Sequence, residues 1–336
     1  MRFPQIQTPF PILAGAAVLL LVPALPAAGV VEASDVARGW TVEAVVDTVA
    51  VGEVTLSPDG ESVLFSRSRW RSEGASPGRA WSDLWRVPAG GGEAERITFA
   101  DGRSHAPRFS PDGRAIAFLS KRGEGAKSTR LFVMPTSGGE SRSITEDDLS
   151  VIEHAWSPDG RSLAFVAKQP KSAERKDAEK AGWDEIVVDQ DLRPRRLWIV
   201  SVEGGEATPL ASLGDLSVWA FDWAPDGSAL VAAVSEKNRT DDSYMFKWVR
   251  VLPLDGEGRD LVPIVGKIGN VRWSPDGASV AWLGGVDGSD PFQGSLFVVP
   301  AAGGTAKNLT GDREETGRSL EWTPEGRIAL TAITGT

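Results

Sequence analysis

Apolar positions along this chain come in short blocks separated by turn-forming residues. Ala115-Ile116-Ala117-Phe118-Leu119, Ser162-Leu163-Ala164-Phe165-Val166 and Ser279-Val280-Ala281-Trp282-Leu283 are almost continuously apolar. Runs of that length read as strands buried on both faces. A near-copy of one tetrapeptide precedes each block. It occurs six times, as Ser57-Pro58-Asp59-Gly60, Ser110-Pro111-Asp112-Gly113, Ser157-Pro158-Asp159-Gly160, Ala224-Pro225-Asp226-Gly227, Ser274-Pro275-Asp276-Gly277 and Thr323-Pro324-Glu325-Gly326. Its acidic positions are separated by 53, 47, 67, 50 and 49 residues. The tetrapeptide is a turn with a mechanism: Pro presets φ, Asp tolerates the third position and bonds local backbone, and Gly accepts the positive φ that closes a hairpin. Phe109, Trp156, Trp223, Trp273 and Trp322 stand immediately before five of the turns.

A second cue follows each turn. Leu84-Trp85-Arg86-Val87-Pro88, Leu131-Phe132-Val133-Met134-Pro135, Leu197-Trp198-Ile199-Val200, Val249-Arg250-Val251-Leu252-Pro253 and Leu296-Phe297-Val298-Val299-Pro300 each lead into a Gly-containing turn. Each reads as a third strand, then a short fourth strand ending near Thr98, Thr145, Leu210, Val262 or Thr310. Four short strands repeated about every 50 residues predict an all-β fold, a β-propeller of four-stranded blades. The expectation is five whole blades plus a partial sixth in an incomplete ring, with the Trp and Phe columns filling the space between blades. The longest interval holds a charged stretch, 168–185, expected as an exposed, partly helical insertion between the second and third strands of blade three. The last repeat stops at Thr336, soon after a second strand over Arg327 to Ala332, so this chain reads as part of a longer protein.

The amino terminus has a different pattern. Ile12 to Val22 is an uncharged apolar run of eleven, preceded by Arg2 and followed by small residues. A charged start, an apolar middle and a small-residue exit read as a secretory signal peptide over 1–33, with cleavage after Ala28 or Ala33. The other reading is an uncleaved anchor, the only membrane contact expected. As a helix the run spans about 16 Å, against roughly 30 Å of hydrocarbon. A lead-in over 34–52 then precedes a propeller over 53–336.

Composition narrows the chemistry. Lys and Arg number 36 against 46 Asp and Glu, a net charge of −10, which argues against a nucleic-acid partner. Cys is absent, which excludes disulfides, thiol catalysis and Cys-ligated metals. Only two His, His105 and His154, are present, both just before a turn and neither with an evident nucleophile; blade packing is their expected role. One G-x-S-x-G pattern places Ser76 in Gly74-Ala75-Ser76-Pro77-Gly78, but no helix pattern follows, so it reads as a loop. The repeated turn Asp residues are explained together by turn formation. Tyr244 is the lone Tyr and lacks an Arg cluster. Asp147-Asp148, Asp241-Asp242 and Glu314-Glu315 are short acidic pairs, each read as a solvated loop. No catalytic, metal-ligating or cofactor-binding residue is assigned, and no cofactor is expected.

The repeated turn, with its L-W-x-V-P and Gly-Gly cues, resembles TolB-like propeller repeats. The stretches TVEAVVDTVAVGEVTLSPDGESVLFS and GWDEIVVDQDLRPRRLWIVSVEGGEATPL are similar to the amino-terminal propeller of prolyl oligopeptidase family serine peptidases, in the acylaminoacyl-peptidase and dipeptidyl-peptidase-like branch. The resemblance implies a propeller that restricts access of short peptides to a carboxy-terminal α/β-hydrolase domain, where the Ser, Asp and His sit. That domain would be the principal partner. This chain has no strand–helix alternation to match it, so no catalytic residue carries over, and the chain alone is expected to be inactive. Some dipeptidyl members hold the substrate's amino group with a Glu pair, for which Glu314-Glu315 is a weak match. The other reading is a TolB-like periplasmic scaffold that binds proteins. Either implies export, to the periplasm or beyond the cell.

Overall fold

A computed structural model describes residues 48–334, except 72–73, 75–77, 124–125, 184, 186–191, 263–264, 287–293, 312 and 314. The signal peptide, most of the lead-in, Ser76 and Glu314 therefore lie outside the described residues.

The strands follow the repeat. Blade 1 comprises β1 (Val51–Leu56), β2 (Ser62–Arg69), β3 (Trp81–Pro88) and β4 (Glu95–Arg96). Blade 2 has β5 (Gly102–Phe109), β6 (Ala115–Arg122), β7 (Arg130–Pro135) and β8 (Arg142–Ser143). Blade 3 has β9 (Val151–Trp156), β10 (Ser162–Lys168), β11 (Arg195–Ser201) and β12 (Thr208–Pro209). Blade 4 has β13 (Ser217–Trp223), β14 (Ala229–Ser235), β15 (Trp248–Pro253) and β16 (Arg259–Asp260). Blade 5 has β17 (Ile268–Trp273), β18 (Ser279–Gly284), β19 (Ser295–Pro300) and β20 (Lys307–Asn308). A two-stranded sheet, β21 (Thr316–Trp322) and β22 (Ile328–Ile333), makes the partial sixth. Within every blade, successive strands pair antiparallel, and a single parallel bridge, Ser82 to Arg103, joins blades 1 and 2. Among the described residues no pairing joins the first blade to the last.

The second strands of blades 2 to 5 hold the core, because each has a paired strand at both edges and a neighbouring blade on each face. All seven residues of β14 are buried, as are five in a row in β6 and in β10. Cross-strand aromatic pairs reinforce three of these sheets. Phe118 stacks on Phe132, Phe165 on Trp198 and Trp282 on Phe297, with centroids 5.6, 6.4 and 5.4 Å apart.

Each repeated tetrapeptide joins the first and second strands of its blade. Ser110 Oγ donates to Asp112 Oδ1 (2.6 Å), that oxygen accepts the Arg114 N–H (3.0 Å), and Ser110 Oγ accepts the Ala115 N–H (2.9 Å). The turns at Ser57, Ser157 and Ser274 repeat the set. All six turn glycines have φ between +68° and +76°, where a side chain is disfavoured. The turns also stack in file. A Cβ placed on Gly113, Gly160, Gly227 or Gly277 would lie 3.7, 3.5, 3.8 and 3.9 Å from the ring of Pro58, Pro111, Pro158 and Pro225 respectively, each in the preceding blade. Five consecutive corners thus share one face of the molecule, in rotational order.

Two helices lie outside the sheets. Helix α1 (Ala173–Lys180) sits in the charged insertion, capped by Ser172 Oγ, which accepts the Arg175 N–H. Helix α2 (Thr240–Tyr244) has no counterpart in the sequence reading, and it corrects one expectation. Asp242 is not a solvated loop residue. It is 2% exposed, and its Oδ2 accepts the Arg239 backbone N–H (2.9 Å) and Nε (3.1 Å) at the helix start.

Candidate functional site

The first strand of each blade lies innermost, and its register relative to the turn is the same in every blade. One residue before the turn stand Leu56, Phe109, Trp156, Trp223, Trp273 and Trp322; two before it stand Thr55, Arg108, Ala155, Asp222, Arg272 and Glu321. Side chains alternate along a strand, so the first set faces the preceding blade and the second faces the following one. The indoles fasten blade to blade. Trp156 Nε1 donates to the Arg108 carbonyl (3.2 Å), Trp223 Nε1 to the Ala155 carbonyl (3.4 Å) and Trp322 Nε1 to the Arg272 carbonyl (3.4 Å). Trp273 departs from this. Its indole bonds its own turn at Gly277 O (3.0 Å), and its backbone N–H donates to Asp222 Oδ2 (2.8 Å).

Four members of the second set, Arg108, Asp222, Arg272 and Glu321, are charged, and Glu153 on β9 and Arg195 on β11 join them. Glu153 on β9 feels Arg272, Arg195, Arg108 and Asp222, so charges of blades 2, 3, 4 and 5 lie within electrostatic reach of one carboxylate. Such convergence from four blades requires a place near the propeller axis. Arg272 Nη2 and Glu321 Oε1 form an ion pair at 3.0 Å, which brings in blade 6. Three cations (Arg108, Arg195, Arg272) thus face three carboxylates (Glu153, Asp222, Glu321). Glu153, Asp222 and Arg272 are half-buried. Burial pushes Asp222 up to about 6, against the pull of Arg272 and the Trp273 N–H. Burial also raises Glu153, opposed by Arg272, Arg195 and Arg108. Burial alone would lower Arg272, but its hydrogen bonds to Glu321 and the charges of Glu321, Asp222 and Glu153 outweigh it and raise the guanidinium. Glu153, Asp222 and Arg272 are therefore partly desolvated charges, while Arg108 and Glu321 are exposed. The cluster can pair with the charged ends of a flexible chain and exchange a proton with it. Nearby, Lys247 is 5% exposed, and burial and then Arg195 lower its ammonium to about 8.

The two histidines have different fates. His154 is buried, and its Nε2 donates to the Ala106 carbonyl at 2.8 Å; a carbonyl can only accept, so this nitrogen carries the proton. Burial pushes its pKa down to about 4, so the ring is neutral. His105 is half-buried, and burial and then Arg103 lower it. Its Nδ1 is buried without a hydrogen-bond partner. Neither has a carboxylate orienting it toward a hydroxyl, so the described residues hold no nucleophile–base pair. No group of three or more His, Asp or Glu that could hold a metal occurs among them either. Asp147 accepts a hydrogen bond from Ser128 Oγ (3.3 Å) and pairs with Arg130 (3.6 Å), while Tyr244 is exposed. The axial charges were missed in the sequence reading, which attended to the turn acids. Reading two positions back from each turn would have found Arg108, Asp222, Arg272 and Glu321.

No family model matches the chain. Among curated proteins, an uncharacterized peptidase of Bacillus subtilis, YuxL, is 32% identical over 126 residues, covering 35% of this chain and 17% of that protein. Among solved structures, the acylaminoacyl peptidase of Pyrococcus horikoshii matches with a TM-score of 0.58 at 16% identity, over 85% of this chain and 43% of that one. The propeller domain of the Trilobed protease from Pyrococcus furiosus, with an open velcro topology, matches at 0.58 and 14% identity over 85% and 80%. A TolB from Agrobacterium tumefaciens matches at 0.52 and 21% identity over 77% and 80%. This chain spans less than half of the acylaminoacyl peptidase's length. At these identities the structural likeness establishes the fold: the chain is built as a β-propeller of the kind found in these peptidases and in TolB.

Proposed function

We propose that this chain is the non-catalytic propeller portion of an exported serine peptidase, and that it admits short peptides to a carboxy-terminal α/β-hydrolase domain. The observation that carries the reading is the axial charge cluster. Glu153, Asp222, Arg272 and Glu321 put both signs of charge where a peptide passing along the axis would meet them. A peptide has a cationic and an anionic end, and such a cluster can pair with either. The fold likeness to two peptidases and the YuxL match support the same assignment. The test has two arms. The purified chain should turn over no peptide, and the reading frame beyond Thr336 should encode further strands, an elbow serine and a later His. Peptide hydrolysis by the chain alone, or a stop codon directly after Thr336, overturns the reading. A TolB-like binding scaffold is the second reading, favoured by the match that covers most of a TolB chain; the stop codon is the result that selects it.

A further inference from the structure

A cleft of about 1020 Å³ opens between blades 1 and 2, on the face opposite the repeated turns. Its described walls carry Arg71, Arg79, Arg103, Lys121 and Arg122, against one carboxylate, Asp101. That carboxylate is already engaged, since Arg69 Nη2 lies 3.1 Å from its Oδ1. None of the five cations has an ion-pair partner among the described residues. Among the described residues of the cleft, cations thus outnumber carboxylates, in a chain of net charge −10.

Further features set the cleft apart from a solvated surface. Arg103 on β5 and Lys121 on β6 are direct cross-strand partners, so two like charges stand side by side on one face of the sheet. That arrangement is destabilising unless something negative sits between them. His105, two residues along the same strand and on the same face, also lines the cleft, with its Nδ1 atom itself shielded from solvent. Arg71 Nε is also buried and unpartnered, while its Nη1 donates to Arg79 O at 3.3 Å. Trp81 forms a flat apolar floor, with the guanidinium carbons of Arg69 and Arg71 4.6 and 5.1 Å from its ring centroid. Finally, the wall is strained. Ala106, next to His105, has φ +51°, and Glu53, at the same register position of blade 1, has φ +45°. Glu53 accepts a hydrogen bond from Ser66 Oγ (2.5 Å) and lies within electrostatic reach of His105, on the blade 1 side of the cleft.

We propose that this cleft is a binding site for a ligand bearing at least two oxyanion charges, carboxylate or phosphate. Arg103 and Lys121 hold one anionic group between them, with His105 beside it on the same strand face, and Arg71 and Arg79 hold the second. Guanidinium groups suit both oxyanions, since the planar fork matches either in two-point contact. The site does not depend on the peptidase reading.

The experiment uses the untagged chain and four probes: citrate, pyrophosphate, hexaglutamate and hexaglutamine. Binding is followed by calorimetry and by the two histidine ring resonances, His105 at the cleft and His154 as the internal reference. At least one anionic probe should bind, move the His105 resonance and leave His154 in place, while hexaglutamine does neither. Citrate and hexaglutamate binding marks a carboxylate site; pyrophosphate binding alone marks a phosphate site. The double variant Arg103→Gln/Lys121→Gln should weaken binding at least tenfold, and Arg79→Gln severalfold, whereas Arg114→Gln, on an exposed turn, should leave it unchanged. No binding of any anionic probe at 1 mM in low salt, or equal binding by all variants, overturns the proposal. All the substituted side chains are exposed, and the thermal unfolding curve verifies that each variant is folded.

Discussion

At the scale of single residues, two buried groups pull stability in opposite directions over one pH window. Asp222 has its folded pKa raised to about 6 from 3.8, so the native state holds the proton more tightly than the unfolded chain. Its contribution is present at low pH and lost as pH rises through about 6. His154 has its folded pKa lowered to about 4 from 6.5, so the native state resists protonation. Its contribution is present above the unfolded value and lost as pH falls through about 4. Between pH 4.5 and 7 each term amounts to about 2 kcal/mol, with opposite sign. Wild-type stability should therefore change little from these two groups. Asp222→Asn should become more stable relative to wild type as pH rises over that window. His154→Gln, which keeps a donor for the Ala106 carbonyl, should become less stable. Urea unfolding at the two pH values measures both, and the Asp222 carboxyl carbon resonance should titrate near 6. Parallel pH curves for the three proteins would contradict the assignment. Asp222 occupies a register position that the sequence shows, two before its turn, but its raised pKa was not legible there. Its character comes from Trp273, 51 residues away, and from Arg272 in the next blade.

At the scale of elements, the turns were the most legible part of the chain, because every bond that defines them is local. Pro, Asp and Gly in that order carry their own conformational instructions, and six of six join the strands they were expected to join. The exception is informative. Blade 4 has Ala224 where four other turns have Ser, so the Ala229 N–H has no hydroxyl to receive it; Asp226 Oδ1 keeps the usual N–H bond, from Ser228, and accepts the Ser228 hydroxyl in place of the missing one. Ala224→Ser should restore the missing bonds and raise stability by about 1 kcal/mol in chemical unfolding. Glycines divide by cause. Gly113 sits at φ +71° with its nearest neighbour 3.7 Å from a built Cβ, so Gly113→Ala should cost about 1–2 kcal/mol, from backbone conformation alone. Gly102 sits at φ +141° with the Lys121 carbonyl 2.3 Å from a built Cβ. There the chain itself must move, and Gly102→Ala should cost at least twice as much. Equal costs would mean that the β5–β6 approach is looser than described. Helix α2 was illegible for the opposite reason: five residues give no period to read, and its cap depends on the buried Asp242.

At the scale of the whole molecule, a stack of blades behaves as a nearly one-dimensional array, each unit stabilised by its own pairing and by its neighbours. Period and strand content were readable in the sequence. Closure was not, because it depends on contacts between the residues farthest apart along the chain. The array here has two unequal ends. Blade 1 presents Val51, Val54 and Leu56 at 60, 63 and 57% exposure, yet keeps four strands and the bridge to blade 2. Blade 6 has two strands, with four of the last five residues from Ala329 to Ile333 exposed and Leu320 as its one fully buried anchor. Local opening should follow that gradient. In hydrogen exchange read by mass spectrometry, amides of β10 and β14 should be slowest and β22 fastest, with β1 between them. Cutting the chain back to residue 310 should then leave blades 1 to 5 folded and shift the melting midpoint by only a few degrees. Deleting blade 3 should abolish the cooperative transition, because Trp156 and Trp223 each bond across its borders. Uniform protection across all blades would contradict the gradient and the unequal burial it rests on.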